Sequence, residues 1–154
     1  MKYLFLIVMI FFWSCKSDPD LSPSLDNKTQ NFETVNGLYG KWKLYSLDNG
    51  SELPYNVWLE IKSERNEKGL NIINGKSFIN FFNASYTWDA SNKGFKVYDL
   101  INTEIAGSKK EQDLETEFFK RFLDTKLYEI NTKGELIFKI STTSKQNMIF
   151  KPSN

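Results

Sequence analysis

Cys15 is the only cysteine in 154 residues, and histidine is absent. These two counts bound the available chemistry. A thiol can serve as nucleophile, metal ligand, disulfide partner or acyl acceptor, and a lone one forms no intrachain disulfide. Without histidine there is no Ser-His-Asp or Cys-His catalysis, and the commonest metal ligand is missing. The segment GLNIINGKS (69–77) ends like a phosphate loop. Five residues separate its glycines, however, where a Walker A loop has four, and no helical period follows. Glu64 and Glu67 fall in a charged connection, while Glu111, Asp113, Glu115 and Glu117 crowd a helix start. There they favour the helix dipole and are expected on a solvated face. Asn80 and Thr103 stand among apolar neighbours. They are expected to satisfy buried backbone groups, or else to line a pocket. Trp42, Phe81, Phe82, Tyr86 and Trp88 are expected in the core, or on the wall of an apolar cavity. No metal site and no dissociable cofactor are expected.

The residues before Cys15 suggest its use. Lys2 is followed by Tyr3–Trp13, uncharged and mostly bulky and apolar. This is the order of a secretory signal. Eleven residues of helix would cover about 16 Å of a ~30 Å hydrocarbon core, too little for a spanning anchor. Small Ser14 directly before Cys15 resembles the lipobox of bacterial lipoproteins, with Phe12 where Leu is usual and bulky Trp13 where a small residue is common. The resemblance implies a signal peptide at 1–14, cleavage before Cys15, diacylglycerol on its thiol and an acyl group on the new amine. Each buried CH₂ adds ~0.8 kcal/mol, so two or three chains anchor firmly. Residues 15–38, rich in Pro, Ser, Asp and Asn, read as the lipidated cysteine and a flexible tether. Asp18 and Asp20 resemble the export tag of surface lipoproteins in Bacteroidetes-type bacteria. The expected address is the bacterial envelope, at the outer membrane, facing the periplasm or the surface.

Cleavage would leave 140 residues with almost no net charge, which gives no electrostatic case for nucleic acid. Of the thirteen Phe, seven Tyr and four Trp in the chain, all but Tyr3, Phe5, Phe11, Phe12 and Trp13 would remain to build a core without disulfides. KWKLYSL (41–47) and NVWLEIK (56–62) alternate, with Trp42, Leu44, Val57, Leu59 and Ile61 on inner faces. GLNII (69–73), ASYTWD (84–89), FKVYDL (95–100), LYEI, ELIFKI and MIFK follow as strands, separated by SNKG, NTKG and TSKQ turns. One segment breaks the period. From Ser108 to Asp124, Leu114, Phe118, Phe119, Phe122 and Leu123 mark a helix face, and Ser108 with Glu111 fits a capping box. The expected fold class is α+β: mainly antiparallel, about eight strands in a sheet curling toward a barrel, with one principal helix inserted before the last three strands.

That order, together with GKWKLYSLDNGSELP, GKSFINFFNASY (75–86), INTEIAG (101–107) and the strands after the helix, resembles the META domains, the heat-shock-associated, HslJ-like family. The likeness covers about residues 38–152 and assigns 39–152 to the domain. Asn80, Phe82 and Tyr86 keep their places in the asparagine segment, as Thr103 and Ala106 do in the threonine segment. Many members carry cysteines where this chain has Ile79 and Gly107, so no disulfide or redox role carries over. Phe78 and Ala84 replace common glycines. The resemblance implies a small α+β fold, an antiparallel sheet wrapped as an open, cracked barrel with one principal helix, and a non-enzymatic envelope lipoprotein with a binding or stress-supporting role. An alternative is a cracked barrel that takes a lipid or peptide tail, as pilot lipoproteins do; an enzyme is the third reading. The expected partners are the membrane, through the anchor, and an envelope protein or apolar ligand, with the chain itself monomeric.

Overall fold

The computed structural model describes residues 37–153, apart from Asn49 and Ser144. The signal peptide, Cys15 and nearly all of the tether lie outside the described residues. Strands β1 (Gly40–Leu47), β2 (Trp58–Arg65), β3 (Asn71–Lys76), β4 (Phe81–Asp89) and β5 (Gly94–Asn102) come first. Helix α1 (Lys109–Asp124) follows, then β6 (Leu127–Ile130), β7 (Leu136–Lys139) and β8 (Met148–Pro152). Each strand pairs antiparallel with its neighbours in chain order, and β8 returns to pair with β1, closing a ring. The ring is uneven. β3 and β4 share six cross-strand pairs, whereas β5 and β6 meet only at Gly94↔Leu127. Helix α1 packs along β5 beside this thin seam.

Alternation explains the strands. In β1, Trp42, Leu44 and Ser46 point inward between half-exposed neighbours, and in β2 Leu59 and Ile61 do the same. β3 extends beyond the expected 69–73, through Gly75 to Lys76. Gly75 faces Phe82 across the ladder, and a β-carbon there would collide with the Phe82 ring and the Trp58 carbonyl. A residue that reads as loop is therefore the one that lets an aromatic ring lie flat against the sheet. Gly134, at φ 73°, makes the turn between β6 and β7 in the left-handed region glycine favours.

Helix α1 starts as its sequence dictates. The Ser108 hydroxyl accepts from the Glu111 amide, and the Glu111 carboxylate accepts from the Ser108 amide at 2.9 Å. Phe118 and Phe122 are fully buried, stacked at 5.7 Å and set edge-on to Phe82. Leu114 and Phe119 pack at the margin, while Leu123 is 46% exposed, contrary to the expectation that all five apolar positions are buried. The rest of the interior is filled by Phe95, which stacks on Tyr86 at 5.0 Å, lies 4.6 Å from Phe138 and stands edge-on to Tyr128 at 6.1 Å. Each fully buried ring contributes roughly 1.5–3 kcal/mol. Leu38, assigned to the tether from sequence, is fully buried, and its carbonyl accepts from the Trp42 indole at 3.0 Å. The folded unit thus begins before residue 39.

Candidate functional site

The turn from Ser77 to Asn80 joins β3 to β4 and closes on itself. The Ser77 amide donates to the Asn80 carbonyl at 2.7 Å, and the Ser77 hydroxyl oxygen lies 2.8 Å from the same carbonyl. Glu115 of α1 reaches into this turn. Its carboxylate accepts from the Ser77 hydroxyl, the Asn80 amide (3.0 Å) and the Asn80 side-chain amide (2.7 Å), with the Ile79 amide at 3.4 Å. Burial pushes the Glu115 carboxyl up, but the hydrogen bonds from Ser77, Asn80 and Ile79 outweigh it and hold the group below the ordinary glutamate value. The other face of the Asn80 side chain ties down the β5–α1 connection. Its carbonyl accepts from the Thr103 hydroxyl at 2.8 Å and the Ile105 amide at 2.7 Å. Asn80 is thus the hub between a turn, a connection and a helix.

Of the residues singled out by sequence, Asn80 and Thr103 are brought together. Thr103 is exposed, and its hydroxyl also accepts from the Phe81 amide at 3.2 Å. Phe82 sits inside the ring, 5% exposed. Tyr86 is elsewhere and fully buried: its hydroxyl donates to the Lys62 carbonyl at 2.8 Å, and burial raises its phenol above the ordinary tyrosine value. It is a core residue. Phe81, expected inside, is 52% exposed, because the strand starts at 81 and its pleat sends Phe81 out and Phe82 in. Glu115, expected on a solvated face, is 8% exposed. Its partners lie 35 to 38 residues away in the chain, so no local pattern marks it. Arg121 has one local partner, Glu117 one helical turn away, but Asp48 lies 73 residues away and escapes a sequence reading for the same reason. Arg121 is buried between Glu117, at 2.6 Å, and Asp48 of the β1–β2 connection, at 2.5 Å.

The hub positions an apolar surface. Phe81, Phe82, Asn83, Ile101, Asn102 and Thr103 line an open groove of about 360 Å³. Ile101 is 68% exposed and Ile105, held by Asn80, is 53% exposed. Three of the four exposed large hydrophobic residues among those described therefore gather around one turn. Such a surface accepts an apolar group, with Asn83, Asn102 and Thr103 as its polar rim. Among the described residues no group of three acidic or cysteine side chains is placed to hold a metal ion, and no helix is long and apolar enough to cross a membrane.

No protein-family model matches the chain, and no curated protein matches it. Two solved structures are similar to it. One is the NMR structure of a protein from Burkholderia xenovorans, 14% identical, with a TM-score of 0.53 over 75% of this chain and 82% of that one. The other is the crystal structure of a DUF4847 family protein from Bacteroides vulgatus, 12% identical, with a TM-score of 0.51 over 80% of this chain and 96% of that one. At these identities the likeness is one of fold.

Proposed function

We propose that the chain is a lipid-anchored protein of the bacterial envelope whose META-type domain works by binding an apolar partner at the Phe81–Ile101–Ile105 surface. The observation that carries this reading is the clustering of those three exposed side chains around a turn locked by Asn80 and Glu115. A rigid scaffold holding apolar groups in water is the arrangement of a contact surface. The centre of the ring is filled by Phe95, Phe118, Phe122, Phe138 and Phe150, so the partner is assigned to the outer groove rather than to the barrel interior. The META reading has support in Ile79 and Gly107. The Ile79 side chain occupies the space a β-carbon on Gly107 would take, so the two positions that hold cysteines in many family members are in contact. The double variant Ile79→Cys/Gly107→Cys should close a disulfide in oxidising buffer. Two free thiols would remove that support.

Native mass spectrometry of the protein purified from its own host tests the function directly. A co-purifying apolar ligand or protein should be present with the wild type and lost with Phe81→Asp/Ile101→Asp. Retention of the same species by that variant would place binding elsewhere. Labelling with radioactive palmitate tests the anchor. Incorporation should vanish in Cys15→Ala, and label that persists would end the lipoprotein reading.

A further inference from the structure

A second surface lies on the outer face of the ring. Cross-strand pairing aligns Lys151↔Lys43, Lys43↔Trp58, Trp58↔Lys76 and Lys76↔Phe81. The inward neighbours of these residues, Phe150, Leu44, Leu59, Gly75 and Phe82, are buried, so the whole row faces solvent. Lys41, one pleat along from Lys43, sits over the Trp58 ring at 4.8 Å, Lys76 over Phe81 at 5.9 Å, and Lys151 over Tyr45 at 3.4 Å. Among the described residues none of these three lysines pairs with a carboxylate. Lys43 has only a loose contact with exposed Glu52, at 3.9 Å, and Glu60, opposite Lys41, turns to Lys62 at 3.9 Å. From β1 to β4 the row therefore alternates ammonium groups and aromatic rings, with Lys151 of β8 beside Lys43 at one end.

The shape of the strip selects its occupant. It runs over β8, β1, β2, β3 and β4, which is half the way round an eight-strand ring. A flat bilayer touching such a curved wall meets only a few neighbouring strands, whereas a flexible chain can follow the row. Adjacent strands lie about 4.8 Å apart, so Lys43 and Lys76, two strands apart with Trp58 between them, hold positive charges about 10 Å apart, and Lys151 adds a second charge one strand from Lys43. A nucleic acid carries a phosphate on every residue, so its charges sit closer together than Lys43 and Lys76 do. A polymer of sugars with an acidic group on every second ring fits both features. Its carboxylates or sulfates draw Lys41 and Lys76 off the Trp58 and Phe81 rings, and the C–H face of the intervening sugar takes their place.

We propose that this row is a binding strip for an acidic polysaccharide. The inference stands on the sheet's outer face and does not need the lipid anchor. The unit Glu33–Asn154 contains every strand, the helix and every buried core residue, so it carries its own core and can be studied alone. Hyaluronan decasaccharide, with one carboxylate per two sugars, is the probe, followed through tryptophan emission and calorimetry. Saturable binding that weakens as salt rises is expected. Lys43→Glu/Lys76→Glu should lower the affinity at least about tenfold with an unchanged melting temperature. Trp58→Ala should also weaken binding, and Lys93→Glu, near the β5–β6 seam, should leave it intact. Absence of saturable binding would overturn the proposal. So would single-stranded DNA or phosphatidylglycerol vesicles binding as tightly as the glycan, or Lys93→Glu having the same effect as the strip variant.

Discussion

At Glu115 burial and hydrogen bonding pull the carboxyl in opposite directions, and the hydrogen bonds prevail. Replacing Glu115 with Gln puts an amide donor against the Asn80 side-chain donor and removes a charge from several hydrogen bonds. Loss of about 2–3 kcal/mol is expected in urea unfolding at neutral pH. The sign of the pH dependence follows. A group whose folded pKa lies below its unfolded one stabilises fully above the ordinary value of 4.5 and loses that contribution as pH falls through the folded value. The difference between wild type and Glu115→Gln should therefore shrink as the pH is lowered below 4.5. A constant difference would mean that the charge is not what holds α1 to the turn. Asn80→Ala should cost about 2–4 kcal/mol and speed hydrogen exchange at the Ile105 amide, which the Asn80 side chain holds at 2.7 Å. The sequence marks Asn80 as a polar residue in an apolar setting. It cannot mark Glu115, which looks like its acidic neighbours until the fold brings Ser77 and Asn80 to it.

Among the elements, α1 is the most legible from sequence because its signals are local. Ser108 and Glu111 are three residues apart, and the Phe118–Phe122 spacing is one helical turn. Phe118→Ala should cost about 3–5 kcal/mol, since Phe78, Phe82 and Phe122 surround the ring and would be left facing a cavity. Ser108→Ala should cost only about 1 kcal/mol, because a cap supplies one hydrogen bond at an exposed end. Thermal melts separate the two, and equal shifts would mean that the helix is not seated on the sheet. The strands are legible by alternation, but their starts are less so. β3 passes through Asn74 and Gly75, residues of low strand preference, because the Phe82 ring requires the space above Gly75. That demand comes from the opposite strand and leaves no trace in the local pattern. The same limit applies to Phe81 and Phe82, where two adjacent rings must take opposite faces and only the register decides which.

For the whole molecule, the weak place is the β5–β6 seam. The Phe95 amide donates to the Lys126 carbonyl and the Tyr128 amide to the Lys93 carbonyl, both at 2.9 Å, with one residue pair between the strands. These amides should exchange with solvent sooner than that of Leu44, which donates to the Val57 carbonyl from a strand with a partner on each side. Hydrogen exchange read by NMR checks this, and equal protection would mean that α1 seals the seam as firmly as a ladder does.

The pairing of β1 with β8 also imposes an order in time. In the proposed lipoprotein β1 emerges from the export channel long before β8, yet one of its edges has no partner until Met148–Pro152 have followed it. The fold cannot be completed piecemeal as the chain emerges. Throughout that wait a strand edge and the apolar faces of Leu44 and Phe138 stand open to any other chain. A chain truncated after Lys145 would therefore lack more than a single strand. It would be an open sheet with two bare edges, and it should sediment as aggregate rather than persist as a smaller barrel.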